Sequence, residues 1–190
     1  MKTKLIYCYL IAVIALATLS CDVSATAQPN DNGGGGVTPS ASGGGSAPQW
    51  GKQTKTEGCT AAGGLQDPAC TPGDIIPSAT KDVICVSGYS SSVRNVPTSE
   101  KNQVYAEYGI TSRSTGQYEV DHLVSLELGG SNDISNLWPE AADPQPGFHQ
   151  KDQVENYLHD QVCSGAVPLA TAQREIATNW LAVYNQMPGK

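Results

Sequence analysis

The chain is short of positive charge and of aromatic side chains. Its 190 residues carry 11 Lys and Arg against 18 Asp and Glu, a formal charge of −7, and phenylalanine occurs once. That deficit excludes a broad basic face gripping duplex nucleic acid through many phosphate contacts, so any phosphate chemistry must rest on a local site. The apolar run from Leu5 to Leu19 falls short of the roughly 20 residues that a spanning helix needs, which argues against a transmembrane anchor. No Cys-x-x-Cys pair is present, which argues against zinc held by paired thiols. The length leaves no room for a doubly wound enzyme or a large barrel beside other segments, so one domain of ordinary size plus something extra is expected.

What is present is segmented. Lys2 and Lys4 precede the apolar run, and small residues follow up to Ala25-Thr26-Ala27, the order of a secretory signal peptide over residues 1–27. Thr18-Leu19-Ser20-Cys21 resembles a bacterial lipobox, so two cleavages compete: before Cys21, leaving a lipid anchor, or after Ala27, leaving a free N-terminus. Either outcome means export, as a secreted or periplasmic protein or as a membrane-anchored lipoprotein. Residues 28–57 hold two glycine runs with Ser, Pro and Asn, and almost no aliphatic side chain to offset ordering entropy. They are expected to form a disordered tether, with Trp50 a solvated or transiently docked aromatic inside it.

Residues 58–190 form the expected domain. It carries seven Lys and Arg against fifteen Asp and Glu, a net charge of −8. Cys59, Cys70, Cys85 and Cys163 are an even set in an exported chain and suggest two disulfides. Of the three pairings, Cys70 with Cys85 closes a modest loop and is favoured, leaving Cys59 with Cys163.

Periodicity gives the elements. Ser99 caps a short helix through Tyr108, stopped by Gly109; Tyr118 to Val124 reads as a strand ended by Gly129-Gly130 and the polar turn Ser131-Asn132-Asp133. Val154, Tyr157, Leu158 and Val162 recur at helical spacing from about Phe148 to Cys163, and Gly165 stops that helix. A last helix runs from about Leu169 to Tyr184 with Leu169, Ala172, Ile176, Trp180 and Val183 as its stripe.

All three histidines, His122, His149 and His159, lie within 38 residues, amid Asp121, Asn132, Asn136, Lys151, Asp152 and Glu155. Adjacent side chains on a strand point to opposite faces, so Asp121 can bind an ion while His122 faces a substrate. The Gly-Gly loop and Asn136-Leu137-Trp138-Pro139 would return the chain antiparallel, and the next helix could lay a first-turn side chain against the same ion.

The stretch Glu119-Val-Asp-His-Leu-Val-Ser-Leu-Glu-Leu-Gly-Gly, followed by Ser-Asn-Asp-Ile-Ser-Asn-Leu-Trp-Pro-Glu140, resembles the HNH endonuclease motif in a branch of bacterial exported proteins. The resemblance implies an α+β domain with a ββα-metal (His-Me finger) core, additional helices and disulfide staples. It implies a metal-dependent endonuclease hydrolysing DNA or RNA: Asp121 a metal ligand, His122 the general base, Asn136 the central asparagine, and His149 the helix ligand. The ion would be magnesium or manganese, with zinc or nickel as alternatives. Lys151, Arg94 and Arg113 are the candidate phosphate contacts. Binding to nucleic acid would be weak and non-specific given the charge, and no obligate protein partner is implied. Two rivals stand beside this reading: a noncatalytic, surface-tethered module that keeps the HNH skeleton, and a hydrolase of another phosphoester.

Overall fold

The computed structural model describes residues 48–190. The expected signal peptide, the lipobox-like sequence at Cys21 and residues 28–47 of the expected tether lie outside the described residues.

The chain is α+β, with three short helices leading into a hairpin and two long helices following it. They are α1 (Lys81–Ile84), α2 (Tyr89–Val93), α3 (Thr98–Glu107), β1 (Tyr118–His122), β2 (Leu137–Ala141), α4 (Phe148–Ser164) and α5 (Leu169–Gln186), with 3-10 turns at Leu126–Leu128 and Ile134–Asn136. β1 and β2 pair antiparallel, Asp121 opposite Trp138 and His122 opposite Leu137. The strand is two residues shorter than its apolar run suggests. Leu123 and Val124 leave the ladder and bury themselves fully in the core.

Alternation sorts the hairpin's side chains. Val120 and Leu137 pack with Val104 and Tyr105 of α3 on one face, while Asp121 turns to the other face and meets α4. The main core joins Leu123, Val124, Leu128 and Trp138 to Val154, Leu158 and Val162 of α4 and to Ala172, Ile176 and Trp180 of α5. The helical stripes read from the sequence are the buried faces. Gly165, at φ 85°, ends α4 in the left-handed conformation that glycine adopts without steric cost. Inside α5 the backbone breaks at Asn179, whose Oδ1 accepts from Ala182 N at 3.0 Å and caps the following turns.

The expected tether does not extend over residues 48–57. Residues 48–57 belong to the folded body: Gly51 N donates to Gly73 O at 2.9 Å, Thr54 N to Ala69 O at 2.8 Å, and the Gln53 amide donates to Cys70 O and Glu107. Trp50 is half-buried against the main core. Low aliphatic content concealed this, because backbone hydrogen bonds and one tryptophan, rather than an apolar stripe, hold the segment.

The expected disulfide pairing is also corrected. Cys59 bonds Cys70 and Cys85 bonds Cys163, with Cα separations of 6.0 and 5.7 Å. The 59–70 loop is already closed locally, since the Asp67 carboxylate accepts from Thr60 N and Ala69 N. Cys85 stands at the end of α1, which packs on α4, where Cys163 occupies the last turn. Loop-closure entropy grows only slowly with length, so the short span from 70 to 85 gave no decisive advantage over docking of the helices.

Candidate active site

Asn136 ties the hairpin loop together. Fully buried, it accepts at Oδ1 from Val124 N (2.9 Å) and Asp74 N (3.2 Å), and donates from Nδ2 to Val124 O (3.0 Å) and Ser131 O (2.8 Å). Those four bonds spend the amide's hydrogen-bonding capacity. Asn136 therefore holds the loop and has no group left for substrate. Gly130 belongs to the same device: a Cβ there would lie 1.8 Å from Val124 O, so only glycine lets the loop close on itself.

His122 is the last residue of β1 and almost wholly buried. Its Nε2 lies 3.2 Å from Asn132 Oδ1. The Asn132 amide has no freedom to flip, since its Nδ2 donates to Val93 O at 2.8 Å and its Oδ1 accepts from Asn95 N at 3.1 Å. Nε2 must therefore donate, which fixes the tautomer and leaves the lone pair on Nδ1. Burial, with Arg94 and Lys151 adding to it, pulls the imidazole down to about 4 despite Asp121 and Asn132, so the ring is neutral at physiological pH. His122 lines a cavity of about 600 Å³ together with Arg94, Lys101, Tyr105 and Phe148.

Asp121 faces the opposite way and meets a lysine. Lys151 Nζ donates to Asp121 Oδ2 at 2.6 Å, to the His122 carbonyl at 2.8 Å, and to Glu155 one turn on. Its side chain is 0% exposed. Burial works against the ammonium, but Asp121, Glu155 and Glu140 outweigh it and raise the Lys151 pKa. Burial works against the Asp121 charge too, and Lys151 overcomes it, holding Asp121 below the usual carboxylate range. Glu155 is pushed up to about 8, chiefly by burial. Glu140, buried on β2, is pushed up to about 10 by burial, by repulsion from Asp121 and Glu155, and by the hydrogen bond that its protonated form can donate to Asp121. At neutral pH the cluster is an ammonium, an ionised Asp121 and a protonated Glu140, with burial drawing Glu155 toward its protonated form.

A divalent ion at Asp121 and His149 does not fit these residues. Asp121 is committed to Lys151. His149 is exposed, its ring against Phe148 at 4.2 Å. Among the described residues no trio of His, Cys, Asp or Glu ligand atoms gathers at Asp121; the group that does gather is Cys85, His159 and Cys163, within 4.8 Å of one another. That trio could hold a metal ion as two thiols and an imidazole, but its sulfurs are joined here, with His159 Nε2 3.4 Å from Cys163 Sγ. Lys151 is likewise corrected as a phosphate contact, because its ammonium never reaches the surface. Arg113 stacks on the Tyr105 ring at 3.6 Å and does not line the His122 cavity. Of the three expected cations only Arg94 lines it, joined by Lys101, which the sequence did not single out.

No family model, curated protein or solved structure matches the chain. Its chemistry rests on this geometry. Asn132 and Lys151 both appear in the sequence among the residues around the histidines, but neither with the role the structure gives it. Asn132 stands in a turn whose polar composition suggested only a loop, and nothing local marks its amide as the partner of His122. Lys151 did carry a signal: it shares a helical face with Val154, Leu158 and Val162, so the buried stripe of α4 passes through it.

Proposed function

We propose that the chain is an exported nuclease of HNH-like architecture that hydrolyses phosphodiester bonds of DNA or RNA, with His122 as general base. The supporting observation is a neutral imidazole of fixed tautomer on a cavity that also presents Arg94 and Lys101. In this reading Nδ1 takes a proton from water, the water oxygen attacks phosphorus, and the ester P–O bond breaks as the leaving oxygen takes up a proton from solvent. Arg94 and Lys101 place positive charge where the phosphate would lie, and the negative charge of the rest of the domain keeps binding weak. Export is supported by the two disulfides, which suit an oxidising compartment, and by the leader-like N-terminus; no described helix is long and apolar enough to cross a membrane.

The test is cleavage of plasmid DNA and of RNA by highly purified protein. His122→Ala is expected to slow the chemical step by roughly 10² to 10⁴, and an unchanged rate would assign the activity to a contaminant. A noncatalytic, surface-tethered module is the second reading, favoured by the commitment of Asp121 and Asn136 to the scaffold; it predicts no cleavage by either protein and a fold unaltered by His122→Ala. Faster turnover of small phosphodiesters than of polymer would instead favour a hydrolase of another phosphoester.

A further inference from the structure

The most unusual feature of the molecule is a lysine ammonium with no exposure, enclosed by oxygens between the hairpin and the helix that follows it. Lys151 Nζ has the Asp121 carboxylate, the Glu155 carboxylate and the main-chain oxygen of His122 as its three acceptors. Three N–H donors therefore meet three oxygens, the full capacity of a primary ammonium. The donor set, two carboxylates and a carbonyl, is the kind that hard divalent cations take. Glu140, buried beside the cluster, adds a third carboxyl group.

We propose that the Lys151 ammonium is the resident cation of this site, standing where an HNH-like hairpin and helix would otherwise hold a divalent metal ion, so that no metal binds at Asp121. Two observations carry it. The Nζ atom is at hydrogen-bond distance from Asp121 Oδ2, so an ion ligated by that oxygen would have to displace a buried, charge-paired side chain. Among the described residues, the His, Cys, Asp and Glu ligand atoms that gather closely enough to hold an ion are those of Cys85, His159 and Cys163, and Asp121 is not among them. Through the His122 carbonyl the lysine also fixes the backbone of the proposed base. It is a positioning residue and touches no substrate.

The inference concerns the cation of the proposed nuclease site, but its main readout does not depend on cleavage. Purified wild-type protein and Asp121→Asn are titrated with Mn²⁺ and the free-ion signal is followed by electron paramagnetic resonance. The expected result is no Mn²⁺ binding that distinguishes the two proteins; binding by wild type that Asp121→Asn abolishes would overturn the proposal. Lys151→Ala vacates the cage and, where folded by circular dichroism, is expected to gain a Mn²⁺ site that Lys151→Ala/Asp121→Asn lacks. A folded Lys151→Ala with no gained site would overturn the equivalence of ammonium and ion, and if that variant does not fold the wild-type titration decides alone. Cleavage of nucleic acid is expected to persist in chelator; loss in chelator with restoration by Mn²⁺ would contradict the proposal. Absence of any cleavage would count against the nuclease reading while leaving the Mn²⁺ result to stand.

Discussion

At the scale of single residues, the site is two clusters back to back on one strand. Asp121 and His122 are neighbours in sequence, yet the pleat sends one into a buried ionic cluster and the other toward an open cavity. Asn132 is the least conspicuous participant. Replacing it with aspartate would keep an acceptor for His122 Nε2 while adding a negative charge, so Asn132→Asp is expected to raise the His122 pKa from about 4 toward its ordinary 6.5; NMR titration of the imidazole checks this. Glu140 sets a second expectation. Its folded-state pKa of about 10 exceeds the ordinary glutamate value of 4.5, so between those values the folded protein holds a proton that the unfolded chain has released. Stability must then fall as pH rises through that window. Glu140→Gln cannot ionise, and thermal unfolding should show it gaining on wild type as pH increases from about 5 to about 9; a constant difference would mean that Glu140 titrates normally. Lys151 is the converse case. Lys151→Met removes the ammonium and strands the buried acids, a loss of roughly 3 to 5 kcal/mol when one partner of a buried pair is deleted, measurable by denaturant unfolding.

At the scale of elements, what was legible followed from periodicity. The α4 and α5 stripes and the glycine stop at Gly165 appear in the sequence as they stand in the fold, because a buried helical face requires apolar residues at three- and four-residue spacing. Pairing across distance left no such trace. The four cysteines are compatible with any of three pairings, and only the docking of α1 on α4 selects Cys85 for Cys163. Residues 48–57 were illegible for a related reason, since their anchors are main-chain bonds to 69–73 rather than side-chain pattern. Non-reducing peptide mapping should recover Cys59–Cys70 and Cys85–Cys163 as linked peptides. The second bond spans 78 residues against 11 for the first, and in the chain-entropy model it contributes about 4.5 kcal/mol against about 3. Cys85→Ser/Cys163→Ser should thus lower the unfolding midpoint more than Cys59→Ser/Cys70→Ser; the reverse order would show that native strain or residual structure outweighs loop length.

At the scale of the whole molecule, a chain of net charge −7 is proposed to act on a polyanion. The positive charge lining the His122 cavity comes from Arg94 and Lys101, both exposed, so substrate affinity should be low and lose little with added salt, because few counterions are released. The hairpin, the loop asparagine and the following helix read from the residues of 119–163 each exist in the fold. The sequence could not show that the cation between them is a lysine, because residue type alone does not reveal which way a helix face turns its ammonium. The central claim is that His122 is a neutral base at physiological pH. The most direct measurement is the pH dependence of single-turnover cleavage of labelled DNA and RNA, set beside an NMR titration of His122. The expected result is one acidic limb with its midpoint at about 4, coincident with the His122 titration and followed by a plateau through neutrality. A limb near the ordinary histidine value of about 6.5, or a rate that ignores the His122 titration, would contradict it.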